Sequence, residues 1–220
     1  MLPRVLEPEV MDTPEEARDY DAMDHAQVNR AFVADFLAMW DGRGPILDVG
    51  TGTAQIPIEF CCQSPTGNIV AIDAAGHMLV VAHEHVARAG LGGRVALQLV
   101  DAKRMPFEDR SIPAIMSNSI VHHIPDPRTV FAEIARVAAP GATIFVRDLL
   151  RPTDAATLQR LVETYAAGAN DHQRKMFAES LNAALTVAEV QELVAGAGFD
   201  SAGVRQTTDR HWTWTVRDQK

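Results

Sequence analysis

The 220-residue chain has only two cysteines, and they are neighbours, Cys61 and Cys62. Adjacent cysteines in a helical stretch would close a strained disulfide, so a disulfide-stapled scaffold is excluded and buried or half-buried free thiols are expected. The chain also lacks a basic surplus. Its 20 Lys and Arg stand against 29 Asp and Glu, a formal net charge of -9, with no Lys/Arg cluster. Neutralising nucleic-acid phosphates needs such a surplus on one face, so no nucleic-acid partner is expected. Long apolar runs are missing too, for residues 112–120 and 142–146 are too short or too interrupted to cross a bilayer. The opening residues pass through Pro3, Arg4 and Glu7 without the apolar core of a secretory signal, so a cytoplasmic location is expected. No internal repeat and no low-complexity linker occurs, which excludes solenoid arrays. What is there is a hydrophobic fraction of 47%, ordinary for a globular protein, and a length sufficient for one domain with a full core.

Start signals mark the helices. In Thr13-Pro14-Glu15-Glu16 a capping threonine, a first-position proline and a box-closing glutamate stand in order, so a helix begins there. Val28, Ala31, Phe32, Phe36, Met39 and Trp40 follow at helical spacing up to Asp41-Gly42, an arm read as packaging or a lid ahead of the main fold. From Pro45 the pattern becomes short apolar runs alternating with helical stretches: 46–49, 69–72, 96–99, 114–118 and 142–149. Such alternation implies a parallel sheet covered on both faces. Asp126-Pro127 opens one intervening helix, Pro140-Gly141 marks its stop, and Thr186 with Glu189 opens another that closes at Gly196 to Gly198. Residues 202–206 and 212–216, separated by 207–210, read as an antiparallel hairpin, with Trp212 and Trp214 on one face of its second strand.

The first strand ends in Leu47-Asp48-Val49-Gly50-Thr51-Gly52-Thr53-Ala54, before a helix at about Ala54. Glycines at 50 and 52 permit a sharp turn and let a ligand lie against bare main chain at the carboxyl edge of the sheet. A dinucleotide fingerprint wants Gly or Ala at the sixth position, where Gln55 stands, so nicotinamide binding is disfavoured. Asp73 ends the second strand about twenty residues on, the offset at which a carboxylate accepts hydrogen bonds from a ribose diol. Asp101 ends the third strand at the same edge.

Together with Ala71-Ile72-Asp73, Met78-Leu79, Asp101-Ala102-Lys103-Arg104-Met105-Pro106-Phe107, Ser117-Asn118-Ser119, Val121-His122-His123-Ile124-Pro125-Asp126 and Glu133-Ile134-Ala135-Arg136-Val137 before Pro140-Gly141, this turn resembles the UbiE-like, or type 11, branch of the class I S-adenosylmethionine-dependent methyltransferases. The resemblance extends over essentially the whole chain. It implies an α/β fold: a Rossmann-like three-layer sandwich with a seven-stranded, mostly parallel sheet, an antiparallel last strand and an N-terminal helical arm. It also implies one methyltransferase domain over 1–220, with a helical cap (1–42), a cofactor-binding core (43–150), a helical insertion or lid (151–182) and a C-terminal helix and hairpin (183–220). The cofactor would be S-adenosylmethionine and the product S-adenosylhomocysteine. Gly50 and Gly52 would lie along the cofactor's amino-acid portion, Asp73 at the ribose hydroxyls, Met78, Asp101 and Ala102 at the adenine and Asn118 at the sulfonium end, with Asp48, Thr51, Ala74, Ser119 and Tyr20 completing the cofactor-binding set. Ala54 stands where the family usually has a third glycine, and Pro113 where it usually has an aspartate.

Methyl transfer from a sulfonium asks the protein for orientation, exclusion of water and, where the acceptor is a hydroxyl, removal of its proton. The candidates are His123, His122 and Asp148, at the ends of strands four and five, with His123 as base, oriented by Asp148 or assisted by His122. Tyr165, Asn170, His172 and Arg174 are further polar candidates in the insertion, with His25 in the arm. Adjacent histidine side chains seldom converge, and no Cys or third-His motif accompanies them, so no metal site is expected. The expected partner is a small-molecule methyl acceptor, on a protein that is a monomer or homodimer. Two alternatives stay open: a silent S-adenosylmethionine-binding regulator and, less favoured, a nicotinamide oxidoreductase.

Overall fold

A computed structural model describes residues 2–7, 10 and 12–217. In chain order it holds α1 (Pro14–Asp21), α2 (Ala26–Met39), β1 (Ile46–Val49), α3 (Gln55–Gln63), β2 (Ile69–Asp73), α4 (Gly76–Arg88), β3 (Val95–Leu99) and β4 (Ile112–Asn118). There follow α5 (Arg128–Val137), β5 (Ala138–Leu149), α6 (Ala155–Tyr165), α7 (Asp171–Ala183), α8 (Val187–Gly196), β6 (Val204–Gln206) and β7 (His211–Val216). The strands share one sheet in the order β3-β2-β1-β4-β5-β7-β6. β1 pairs in parallel with both β2 and β4, β2 pairs in parallel with β3, and β6 and β7 are antiparallel, so the mostly parallel sheet with an antiparallel end is present. The order reverses between β1 and β4, and at such a switch point open α/β sheets bind ligands, outside the carboxyl ends of the strands.

Contacts group the chain into two compact units. The larger comprises 10–118, 132–146 and 215–217; the smaller comprises 2–7, 119–131 and 147–214. In the larger unit all four residues of β1 are buried, as expected for a strand with neighbours on both sides and helices above and below. Phe32 and Phe36 of α2 are wholly buried against Phe145, at ring distances of 5.1 and 6.3 Å, and Phe36 also meets Phe60 of α3 at 6.1 Å. Each such ring contributes roughly 1.5–3 kcal/mol by leaving water. That burial corrects the reading of the whole arm as packaging or a lid: α2 is a core helix. Gly67, at φ +94°, closes this core, since a Cβ there would stand 2.8 Å from Trp40 and 3.0 Å from Phe60.

In the smaller unit, Leu149, Leu161, Val162, Leu181 and Ala184 form a separate apolar cluster, so the 151–182 insertion carries a core of its own. Trp212 and Trp214 are fully buried, and Trp214 stacks on Phe131 at 5.3 Å and meets Phe199 edge-on at 5.3 Å. The capping boxes expected at Thr13 and Thr186 are both formed. β5 begins at Ala138, directly after α5, so Pro140 and Gly141 lie inside a strand instead of ending a helix. Residues 201–203 are a short 3-10 turn, which trims the hairpin's first strand. Cys61 is half-buried and Cys62 exposed; both are free.

Candidate functional site

The turn after β1 belongs wholly to the larger unit. Gly50, Gly52 and Ala54 have φ of 77°, 55° and 61°, three left-handed residues within five. Glycine takes that conformation without strain, whereas Ala54 holds it at a cost of about 1–2 kcal/mol. The third glycine is therefore replaced at a position whose backbone, more than its width, calls for glycine. The Gly50 and Thr51 N–H groups both donate to the Ile72 carbonyl at 2.9 Å, which ties the turn to the end of β2. Asp73 completes the tie: Oδ2 accepts from the Gly52 N–H at 2.7 Å and Oδ1 from the Ala75 N–H at 2.9 Å.

Among the described residues of this unit, Thr53 Oγ1 and Asn118 Oδ1 are buried without hydrogen bonds, and Asp48 and Thr51 are buried side by side with no partner beyond each other for Asp48 Oδ2 and Thr51 Oγ1. Burial, opposed by a hydrogen bond from Thr51 and reinforced by Asp73's charge, pushes the Asp48 carboxyl up to about 7. Tyr20 lies over the turn, its Cε1 3.6 Å from where a Cβ on Gly52 would be. Burial and the charges of Asp73, Asp48 and Asp21 push its phenol up to about 12. Orphaned buried oxygens beside acidic groups suit a ligand that brings cationic charge and donors. They oppose the doubly negative diphosphate of a dinucleotide.

α1 is held over this turn by polar ties. Gln55 Nε2 donates to Asp21 Oδ1 at 3.1 Å, and His85 Nε2 stands 3.2 Å from Asp21 Oδ2. Asn29 Nδ2 donates to Gln55 Oε1 at 3.1 Å, and His85 Nδ1 is 3.1 Å from the Thr53 carbonyl oxygen. Gln55, which spoils the dinucleotide fingerprint, thus anchors the arm. Asp12 accepts the His77 N–H at 2.9 Å and caps α4 from a distance. Met78 is buried with Ala17 and Ala75 beside Tyr20, under the arm. Asp101 is exposed and engaged locally, accepting the Lys103 N–H at 2.9 Å with the ammonium 3.1 Å away. Ala74 is exposed and Ala102 half-buried.

A second constellation lies wholly in the smaller unit. One 3-10 turn, Val121–His123, carries both histidines, with ring centroids 4.1 Å apart. Asp148 is 1% exposed and accepts from the Val121 and Leu149 N–H groups, each at 2.6 Å, and from that of His122 at 3.3 Å. Its Oδ1 also meets His122 Nδ1 at 2.6 Å. Asp148 therefore orients His122, correcting the expectation that it orients His123. His123 faces Glu7 instead, with Nδ1 3.0 Å from Oε1, and His122 Nε2 is 3.5 Å from the same oxygen. Burial opposes charge on His122, but the Asp148 and Glu7 carboxylates raise it above its ordinary value. Burial likewise opposes charge on Asp148 and Glu7, yet histidine partners bring both below the usual carboxylate range.

Glu7, which the sequence analysis did not single out, is placed by its neighbours. Arg4 donates to the carbonyls of His122 (3.1 Å), Ile124 (3.0 Å) and Ala183 (2.7 Å), and the Val5 N–H donates to the Asn182 carbonyl at 3.1 Å. Ser180 Oγ donates to the Glu7 carboxylate at 3.2 Å. No motif signals a contact across more than a hundred residues. Ser119, in a left-handed conformation at φ 58°, gives its N–H to the Arg147 carbonyl at 2.9 Å. Three of the insertion's polar candidates have structural partners: Tyr165 bonds Asp209 at 2.8 Å under the Arg210 guanidinium, Asn170 caps α7, and Arg174 reaches the Ala166 carbonyl at 3.4 Å, while His172 is exposed.

Comparison with known proteins agrees with this geometry. Residues 47–146 match the family described as Methyltransferase domain. A ubiquinone/menaquinone biosynthesis C-methyltransferase of Geotalea daltonii is 29% identical over 110 residues, 50% of this chain and 47% of that protein. A demethylmenaquinone methyltransferase of a Roseiflexus species is 33% identical over 113 residues, 50% of this chain and 44% of that protein. The chain thus spans about half the length of these curated relatives. A solved structure described as a putative S-adenosyl-L-methionine-dependent methyltransferase from Methanococcus maripaludis superposes with a TM-score of 0.68, covering 98% of this chain and 99% of that one, at 20% identity. At that identity the likeness shows the fold alone.

Proposed function

We propose that the chain, whose residues 47–146 match the methyltransferase-domain family and resemble C-methyltransferases of quinone biosynthesis, transfers a methyl group from S-adenosylmethionine to a small-molecule acceptor. The observation that carries this reading is the glycine turn set among orphaned buried oxygens and the raised Asp48 carboxyl. S-adenosylmethionine fits there because it brings a cationic amino group and a ribose diol, and its sulfonium supplies an already activated methyl group. Gly50, Thr51 and Gly52 would present bare main chain to its amino-acid portion, and Asp48 would supply the counter-charge. Asp73 would accept from the ribose hydroxyls while its other contacts hold the turn. Met78, Asp101 and Ala102 would border the adenine, and Asn118 the sulfonium end.

Where the acceptor is a hydroxyl, the histidine–carboxylate cluster of Glu7, His122, His123 and Asp148 is the proposed means of handling its proton. The relatives are named for quinone methylation, so demethylated quinone analogues are the first acceptors to try. The test uses methyl-labelled S-adenosylmethionine with such analogues and with small-molecule fractions of a cell extract. Label should pass to an acceptor with one S-adenosylhomocysteine released per methyl. Cofactor binding without product from any acceptor would overturn the catalytic reading in favour of a silent binding protein.

A further inference from the structure

We propose that Glu7, His122 and His123 form a binding site for a divalent transition-metal ion of the zinc class. One donor atom from each residue lies within 4.8 Å of the other two. Glu7 Oε1 stands 3.5 Å from His122 Nε2 and 3.0 Å from His123 Nδ1. Donors about 2.0–2.1 Å from a tetrahedral ion stand about 3.3–3.4 Å from one another, and the two separations bracket that spacing. Convergence is the feature that sequence reasoning did not expect of adjacent histidines. The 3-10 turn provides it, with the two rings tilted by 35° on one side of the chain.

Three further observations support an ion over a plain hydrogen-bonded cluster. His123 Nδ1 is buried and stands 3.0 Å from Glu7 Oε1, so nitrogen and carboxylate oxygen face one another inside the protein. With the Nδ1 lone pair free of its proton, the same two atoms are placed to share an ion. Next, His122 Nδ1 is 2.6 Å from Asp148 Oδ1, itself accepting from the Val121 and Leu149 N–H groups. A histidine donating through one nitrogen to a carboxylate presents the other as a lone pair, the arrangement that orients metal-binding imidazoles. Ser180 supports Glu7 in the same way. Finally, Glu7 and Asp148 bring two negative charges into a site where the side chains of Glu7, His122, His123 and Asp148 are 13%, 4%, 19% and 1% exposed. One divalent ion neutralises both.

Two histidines and a carboxylate leave one tetrahedral position for water or an acceptor heteroatom, whose pKa a bound ion lowers. That last role rests on the methyl-transfer reading, whereas metal binding does not. The full chain, stripped of metal with a chelator, is titrated with Zn²⁺ by calorimetry and with Co²⁺ by visible absorption. One equivalent should bind, with the spectrum of a four-coordinate cobalt ion. Glu7→Gln and His123→Ala should each weaken binding at least about tenfold, and Asp148→Asn by about 10–100-fold as a lost supporting partner. His83→Ala, at an exposed histidine in α4, should bind as the parent does. Thermal unfolding of each metal-free variant confirms that it folds. Absence of saturable binding, or affinity undiminished in both Glu7→Gln and His123→Ala, would overturn the assignment whatever the methylation assay shows.

Discussion

Replacing Asp73 by alanine is expected to weaken S-adenosylhomocysteine binding at least tenfold. The carboxylate ends β2 and accepts from the Gly52 and Ala75 N–H groups at 2.7 and 2.9 Å, so it holds the glycine turn at the strand end where the ribose diol is proposed to lie. A hydrogen bond to a charged group contributes about 1.5–3 kcal/mol, and each 1.4 kcal/mol is about tenfold in affinity. Losing the ribose contacts and loosening the turn act in the same direction. Asp73→Asn separates them, because it retains a carbonyl oxygen for the Gly52 N–H while losing the charge. It should show a smaller loss than alanine, but a measurable one. Calorimetric titration of both variants checks this, and an unchanged dissociation constant in Asp73→Ala would reduce Asp73 to a strand-end residue.

The second large effect is expected at Asp148. Its carboxylate is held by three backbone N–H donors and the His122 ring, all within the smaller unit. An asparagine of the same shape has only one oxygen with which to receive them, and its NH2 group would face a donor. His122 would lose both its orientation and its charge partner. Asp148→Asn should lower turnover on the identified acceptor by about a hundredfold or more, the scale of lost acid–base assistance, while S-adenosylmethionine affinity stays within about a factor of three. Removing one member of a buried pair also costs about 3–5 kcal/mol in stability, so His122→Gln, which removes the ring from the opposite side, serves as the companion variant. Turnover intact in Asp148→Asn, His122→Gln and His123→Ala alike would mean that transfer runs on orientation alone.

Local features of the fold were legible because their causes are local. Thr13 and Thr186 form their capping boxes with the glutamates three residues on, and β1 occupies the four residues that the apolar run at 46–49 delimits. The glycine turn and Asp73 were legible for the same reason: a left-handed backbone and a carboxylate at a strand end are written in adjacent residues. What was missed depends on distance. α2 looked like an arm, since its apolar face names no partner until Phe145 is seen against it. Pro140-Gly141 resembled a helix stop, but the chain passes straight from α5 into β5. Gln55 counted only as a departure from a fingerprint until Asp21 appeared opposite it. The pairing of Asp148 with His122 and of Glu7 with His123 turns on how a three-residue turn aims two neighbouring rings, and no periodicity encodes that.

The most direct test of the central claim is calorimetric titration of the full chain with S-adenosylmethionine and S-adenosylhomocysteine, run at about pH 6 in two buffers of different ionisation heat. Asp48, pushed up to about 7 by burial, is largely protonated there. A bound cationic amino group favours the carboxylate and lowers that value, so binding should release protons, and affinity should rise with pH through about 7. Both ligands should bind one per chain, with a heat that differs between the buffers by the released proton. If neither ligand binds while NAD does, the account of the glycine turn as an S-adenosylmethionine site is contradicted.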